Sequence, residues 1–281
     1  MELRQAAKKI RLIALDLDGS CMNSQGIVTG RTRRMIGGLI RKGYLVVPAT
    51  GRGFHHLRED IIGVEGIRYV ISDNGAIVTD VLTGRRLTEC LIPRRTSASL
   101  AERLLRCGTL VYIHCSDARG TYLMACRDPA KYACFARPGW VPPKEFLTNG
   151  VGQYLLRDGR GVTTIGAYFD GENDFSYFEA IIAAEYRELH GFRVADHAME
   201  FTCRQASKAD ALRGLCRPLQ IPPEQTCAIG DNGNDVELLR TAGLGVAMGN
   251  AIPEAKQAAD VVVKSNDEDG AAEFFEKYFL T

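Results

Sequence analysis

Two aspartates one residue apart, Asp16 and Asp18 in Leu15-Asp16-Leu17-Asp18-Gly19-Ser20, close an apolar run from Ile10 to Leu17 that reads as a buried strand. At the carboxyl end of a parallel strand both emerge where ligand crevices open. Carboxylates this close repel one another unless a cation lies between them or one carries a proton. Either arrangement suits a metal-bound nucleophile beside an acid or base that moves protons. An ordinary Asp-Gly turn, with Gly19 and Ser20 as turn formers, accounts for the same residues equally well.

A second acidic, glycine-rich turn, Gly230-Asp231-Asn232-Gly233-Asn234-Asp235, follows the strand Thr226 to Ile229 and opens a helix. Capping explains part of it, because Asn and Asp satisfy free N–H groups at a helix start. It does not explain so many acids. Oxygen ligands from Asp16, from Asp18 through its backbone carbonyl, and from Asp231 suit octahedral Mg²⁺. The histidines show no metal-ligand spacing, so oxygen ligation is favoured over nitrogen.

Two further features could hold an anion. Pro48-Ala49-Thr50-Gly51-Arg52 ends a strand with a hydroxyl, an open glycine N–H and a guanidinium that suit phosphate. A Thr-Gly turn is common, and the motif alone is weak. Ala206-Ser207-Lys208 opens a helix with an ammonium at the end the helix dipole disfavours. A nearby anion repairs that mismatch; a lysine that reaches solvent also accounts for it.

These residues need a scaffold that brings strand ends together. The first part of the chain alternates strands at Ile10 to Leu17, Tyr44 to Ala49 and Tyr69 to Ser72 with helices at Thr29 to Lys42 and Phe54 to Ile62, the pattern of a parallel sheet with crossover helices. Thr29 caps its helix and Gly43 stops it; Arg31, Arg33 and Arg34 form a solvated face. The DNGA turn leads into a hairpin partner at Ala76 to Asp80. From about Gly84 to Gly191 the texture changes to arginine pairs, a Pro-rich stretch and irregular alternation, as in an inserted unit. Then the sheet pattern returns: helix Lys208 to Leu219, strand Thr226 to Ile229, helix Asp235 to Thr241, strand Leu244 to Ala247, helix Pro253 to Ala258 and strand Asp260 to Val263.

Composition narrows the partners. With 281 residues and 46% hydrophobic content the chain is long enough for one large or two modest domains, and disorder is excluded. A net charge of +1 gives no footprint for nucleic acid or an anionic membrane surface, and the inserted unit is nearly balanced as well. No run approaches the roughly 20 apolar residues of a membrane helix, and no signal peptide opens the chain, so a cytoplasmic protein is expected. Nine scattered cysteines without Cys-x-x-Cys spacing read as reduced thiols rather than disulfides or a zinc site.

Taken together, the four motifs around Asp16, Thr50, Lys208 and Asp231 resemble those of the haloacid dehalogenase-like superfamily of aspartyl-phosphate phosphohydrolases. Only about 34 residues separate the first two motifs, too few for a domain, whereas the long interval before Lys208 can hold one. That arrangement resembles the Cof-type branch, as do Ser72-Asp73-Asn74-Gly75-Ala76, Ala247-Met248-Gly249-Asn250-Ala251 and Ser265-Asn266-Asp267-Glu268-Asp269-Gly270. Ser20 stands where that family usually has Thr, which keeps the hydroxyl.

The resemblance implies an α/β fold: a Rossmann-like, doubly wound parallel sheet as core (1–83 and 192–281) with an inserted α+β cap (84–191) that acts as a lid and selects substrate. It implies a Mg²⁺-dependent phosphatase of small phosphorylated metabolites, a sugar phosphate or similar phosphomonoester. Asp16 is then the nucleophile and Asp18 the acid and base. Asp16, Asp18 and Asp231 hold Mg²⁺, and Thr50, Gly51, Lys208 and Asn234 hold the phosphate, with Asp235, Arg52 and Asn74 in support. Tyr112, His114, Arg137 and Trp140 are possible lid contacts, though core or loop-anchoring roles rank first for all four. A phosphomutase, a glycosyl-phosphate-pathway phosphatase and a noncatalytic phosphometabolite sensor share these features. A monomer or homodimer is expected, with no nucleic-acid or membrane partner.

Overall fold

β1 (Leu12–Leu15) has every side chain buried, as a strand covered on both faces must. Each Leu or Ile so buried contributes about 1.5–3 kcal/mol of transfer free energy. The computed structural model describes residues 2–54, 57, 61, 63–116, 122–128, 145–169, 172–195 and 197–281. It divides into a discontinuous unit, Met1–Glu89 with Ser207–Thr281, and a continuous one, Cys90–Ala206.

In the discontinuous unit a short helix α1 (Glu2–Ala7) precedes β1. Then come α2 (Gly30–Arg41), β2 (Leu45–Pro48), β3 (Tyr69–Ser72), β4 (Ile77–Asp80) and β5 (Arg85–Glu89). The sheet contains, in order, β14 (Val261–Val262), β13 (Leu244–Ala247), β12 (Thr226–Gly230), β1 and β2, all parallel. A parallel bridge from Ala49 to Ile71 carries it on to β3, which begins the antiparallel ladder β3-β4-β5. The expected helix from Phe54 to Ile62 lies largely outside the described residues.

Local signals set the helix starts. The Thr29 side chain accepts from Thr32 N at the head of α2, and the Ser207 side chain accepts from Asp210 N at the head of α6 (Lys208–Leu219). Arg31 is not simply solvated: it forms an ion pair with Glu276 of the last helix, whose nitrogen-to-oxygen distance is 2.6 Å. The turn Asp73-Asn74-Gly75 holds three consecutive residues at positive φ. At Gly75 a Cβ would fall 2.1 Å from the Ser207 carbonyl oxygen, so glycine lets this turn press on the start of α6 and fix where Lys208 begins.

The continuous unit carries a six-stranded sheet in the order β10 (Leu189–Ala195), β11 (Ala198–Cys203), β9 (Val162–Tyr168), β6 (Leu110–Cys115), β7 (Tyr122–Ala125) and β8 (Glu145–Leu147). It is antiparallel except for β7 with β8. Alternate residues such as Val111, Ile113, Leu123, Ala125, Ile165 and Phe201 pack with α3 (Arg94–Arg106), α4 (Val151–Asp158) and α5 (Glu172–Glu185). The opposite set, including Leu110, Tyr112 and Met124, forms a second small cluster. Tyr112 is buried there and its hydroxyl is 2.9 Å from Glu200 Oε1, which fits the core reading of that residue. Arg137 and Trp140 lie outside the described residues.

The divisions fall at Glu89/Cys90 and Ala206/Ser207, later in the chain than the expected 83/84 and 191/192. β5 pairs with β4 and so stays with the first unit, while β10 and β11 form a hairpin of the second sheet. Change of texture marks an insertion, but ladder pairing decides where it starts.

Candidate active site

The first acid-bearing turn leaves β1 at Asp16 and passes through Leu17–Cys21, where Gly19 takes φ +77°. A Cβ on Gly19 would lie 2.3 Å from Asp231 Oδ2, so this turn and the one after β12 touch because residue 19 has no side chain. Ser20 Oγ donates to Asp231 Oδ1 at 3.2 Å. The two aspartates expected to share a cation, Asp16 and Asp231, are thereby neighbours, with Asp235 in the same cluster within 4.8 Å.

Lys208, the first residue of α6, is fully buried and does not reach solvent. Its Nζ lies 2.6 Å from Asp16 Oδ1 and 2.7 Å from Asp235 Oδ1. The other Asp235 oxygen accepts the backbone N–H groups of Asp231 and Asn232, each at 3.1 Å. Both Asp235 oxygens are therefore engaged, which makes this residue an orienter of Lys208 rather than a free ligand. Asp16 Oδ2, in contrast, is buried with no hydrogen-bond partner.

Electrostatics in the cluster are unbalanced. Three carboxylates, those of Asp16, Asp231 and Asp235, surround one ammonium. Burial, then the charge of Asp235, pushes the Asp16 carboxyl well above the usual carboxylate range, against the pull of Lys208. Burial and Asp235 likewise raise Asp231 to about 6. Burial works against the Lys208 ammonium, but Asp16 and Asp235 outweigh it and hold its pKa above the ordinary value. An orphaned carboxylate oxygen beside a second carboxylate, both all-oxygen donors, fits a hard divalent cation.

Asp18 is placed differently from Asp16. Its carboxylate turns to Arg52, accepting from Nε at 2.7 Å and from Nη2 at 2.5 Å, and it is outside the three-carboxylate cluster. Burial would lower the Arg52 pKa, but the hydrogen bond to Asp18 is the larger effect and raises it. Thr50 is completely buried, and its Oγ1 accepts from Arg52 N at 3.1 Å, so the hydroxyl shapes the turn that aims the guanidinium. Gly51 faces the Asn74 amide, with 2.9 Å between a would-be Cβ and Asn74 Oδ1. Asn234 Nδ2 donates to that same Asn74 Oδ1 at 2.8 Å, while Asn234 Oδ1 is buried with no partner.

Two residues to which the sequence assigned no role also reach this site. Asn250 Nδ2 donates to the Gly19 carbonyl at 2.8 Å, and Asn266 Nδ2 donates to the Met22 carbonyl at 2.9 Å. Their segments stand out in the sequence, but an asparagine amide carries no mark of its partner. The buried thiols Cys21 and Cys227 have pKa values pushed up by burial, which keeps them protonated.

The fold and this cluster define a hydrolase: the chain belongs to the haloacid dehalogenase-like hydrolases, whose family model matches residues 13–275. YxeH of Bacillus subtilis (strain 168), a phosphatase candidate by name, is 30% identical over 267 residues, covering 93% of this chain and 96% of its own. From the same organism, YcsE, a 5-amino-6-(5-phospho-D-ribitylamino)uracil phosphatase, is 26% identical and is covered completely, as is this chain. The solved structure of a haloacid dehalogenase-like hydrolase from B. subtilis superposes with a TM-score of 0.81 at 26% identity, over 96% of this chain and 100% of that one. The enzyme class is accordingly that of the phosphatases. No helix among the described residues is long and apolar enough to cross a membrane.

Proposed function

We propose that this chain is a Mg²⁺-dependent phosphatase of small phosphorylated metabolites that works through an aspartyl phosphate on Asp16. The observation that carries the reading is the state of Asp16: one oxygen held by Lys208 at 2.6 Å, the other buried and unpartnered beside Asp231. The bond to Lys208 fixes the carboxylate's orientation, the unpartnered oxygen is left for the cation, and the carboxylate of Asp16 is the nucleophile. It attacks phosphorus as the bond to the leaving alcohol oxygen breaks. Asp18, protonated from water once it leaves Arg52, gives that proton to the leaving oxygen, then takes a proton from the water that hydrolyses the aspartyl phosphate. For this, Asp18 exchanges its contact with Arg52, and the guanidinium becomes available to the phosphate.

Asp16, Asp231 and the Asp18 backbone carbonyl are the groups assigned to Mg²⁺, which when bound offsets the repulsion between a carboxylate and a phosphate dianion. Lys208 adds a fixed positive charge next to the nucleophile. Asp235 keeps that ammonium in place, and Asn234 and Thr50 shape the anion side of the site. The inserted unit is assigned the choice of alcohol.

Phosphate release from a panel of sugar phosphates, nucleotides and phosphorylated ribityl compounds tests the reading, with Mg²⁺ or chelator and with Asp16→Asn as control. Turnover that needs Mg²⁺ and vanishes in the variant is expected. Full activity in Asp16→Asn, or in chelator, overturns the mechanism.

A further inference from the structure

The two acid-bearing turns are joined by more than the cation they are suited to hold. Residues 248–252 form a short loop braced on the second turn, where Met248 N donates to the Gly230 carbonyl at 3.1 Å and Ile252 N to the Asp231 carbonyl at 2.9 Å. From the middle of that loop Asn250 reaches across to the first turn and donates to the Gly19 carbonyl at 2.8 Å. The other end of its amide, Oδ1, accepts the Asn266 N–H at 3.0 Å. Asn266 in turn donates to the Met22 carbonyl. One side chain thus ties the backbone around Asp231 to the backbone after Asp16.

The peptide that Asn250 holds is the one between Gly19 and Ser20, and both of these residues act on Asp231. Gly19 lies against its carboxylate and the Ser20 hydroxyl donates to Oδ1. A rotation of that peptide moves the hydroxyl off the carboxylate and lets Asp231 turn away from Asp16. Neighbouring bonds hold the same stretch from further along: Ser24 N donates to Asp267 Oδ1 at 2.8 Å, and Thr29 Oγ1 to Asp269 Oδ1 at 2.6 Å. Those bonds fix the loop as a whole, whereas Asn250 acts at the residue pair that touches the metal-site carboxylate.

We propose that Asn250 is a positioning residue for the divalent-cation site, setting the Asp231 carboxylate through the Gly19–Ser20 peptide. The proposal rests on the reading of Asp16 and Asp231 as cation ligands. Direct hydrogen-bond partners of a ligand, as Ser20 is of Asp231, typically change metal affinity by about 10- to 100-fold when lost, and Asn250 acts through that bond. Because Asn250 is exposed, its truncation leaves the core packing intact.

The test is Mn²⁺ binding to the intact protein, followed by electron paramagnetic resonance or calorimetry, for wild type, Asn250→Ala, Ser20→Ala, the double variant and Asp231→Asn. Melting in chelator is recorded for each. Asn250→Ala should bind Mn²⁺ about tenfold more weakly with an unchanged melting temperature in chelator. The double variant should bind no more weakly than Ser20→Ala alone, because the two residues act in series. If Asp231→Asn loses the ion while Asn250→Ala binds it like wild type, the proposal fails and the cation reading stands. Additive losses in the double variant also overturn it, since Asn250 would then act by a route other than Ser20. If Asp231→Asn binds like wild type, the cation reading itself is wrong and the proposal falls with it.

Discussion

The Arg52 guanidinium grips the Asp18 carboxylate with two bonds, 2.7 and 2.5 Å long, so the residue assigned proton transfer is paired with the second motif rather than with Asp16. The pair is half open to solvent, at 35% and 51% side-chain exposure. Such a pair contributes about 0–1 kcal/mol to stability. Its importance lies in where it holds Asp18.

Arg52→Ala should therefore separate function from folding. The melting temperature should hardly move, while kcat/KM for a phosphomonoester falls by about tenfold or more, the loss expected for a charge-assisted contact to phosphate. Arg52→Lys should recover only part of it, since an ammonium cannot make the two-pronged contact. Wild-type kinetics in Arg52→Ala would remove Arg52 from the site.

Lys208→Met should be far more disruptive. It leaves Asp16 and Asp235 buried without their counter-charge, and losing one partner of a buried ion pair costs about 3–5 kcal/mol. Urea unfolding in chelator measures this. A variant as stable as wild type would mean that the ammonium does not balance the cluster.

Asp16→Asn should show the opposite sign. The crowded carboxylate is already pushed towards its neutral form by burial and by Asp235, so the neutral isostere relieves repulsion. Turnover should fall by about a thousandfold or more, while melting in chelator occurs at the same or a higher temperature. A lower melting temperature would count against the electrostatic account.

Asp231 gives a pH test. Its pKa is about 6 in the folded chain, above the unfolded carboxylate value, so between those values the folded state binds more protons than the unfolded one. Without metal, the contribution of this group to stability is present at low pH and is lost as pH rises towards and through about 6. Protons and a divalent cation compete for the same oxygens, so the rise in melting temperature on adding Mg²⁺ should be larger at pH 7.5 than at pH 5. Equal shifts at both values would show that Asp231 is not a ligand.

Much of this architecture could be read from residue patterns. Apolar runs ending in Asp16, Thr50 and Gly230 marked strands whose ends converge, and Thr29 and Ser207 marked the helix starts that the structure has. The family match, over residues 13–275, spans those same motifs. Contacts between distant side chains were harder to read. Nothing in Ser207-Lys208 distinguishes a lysine reaching solvent from one buried between Asp16 and Asp235, because burial depends on what packs over the helix start. Likewise the turning of Asp18 to Arg52 and the reach of Asn250 to Gly19 are decided by loop geometry and leave no periodic trace.

The position of β1 has a consequence for how the protein is made. Its neighbours are β2, which follows it closely, and β12, which comes after all of Cys90–Ala206. At roughly 5–20 residues per second, the ribosome delivers the second neighbour on the order of ten seconds or more after the first. Until then a nascent chain carries Asp16 at the end of a strand with one bare edge, without Lys208 or Asp231. Unfinished copies have that bare edge to protect from other chains.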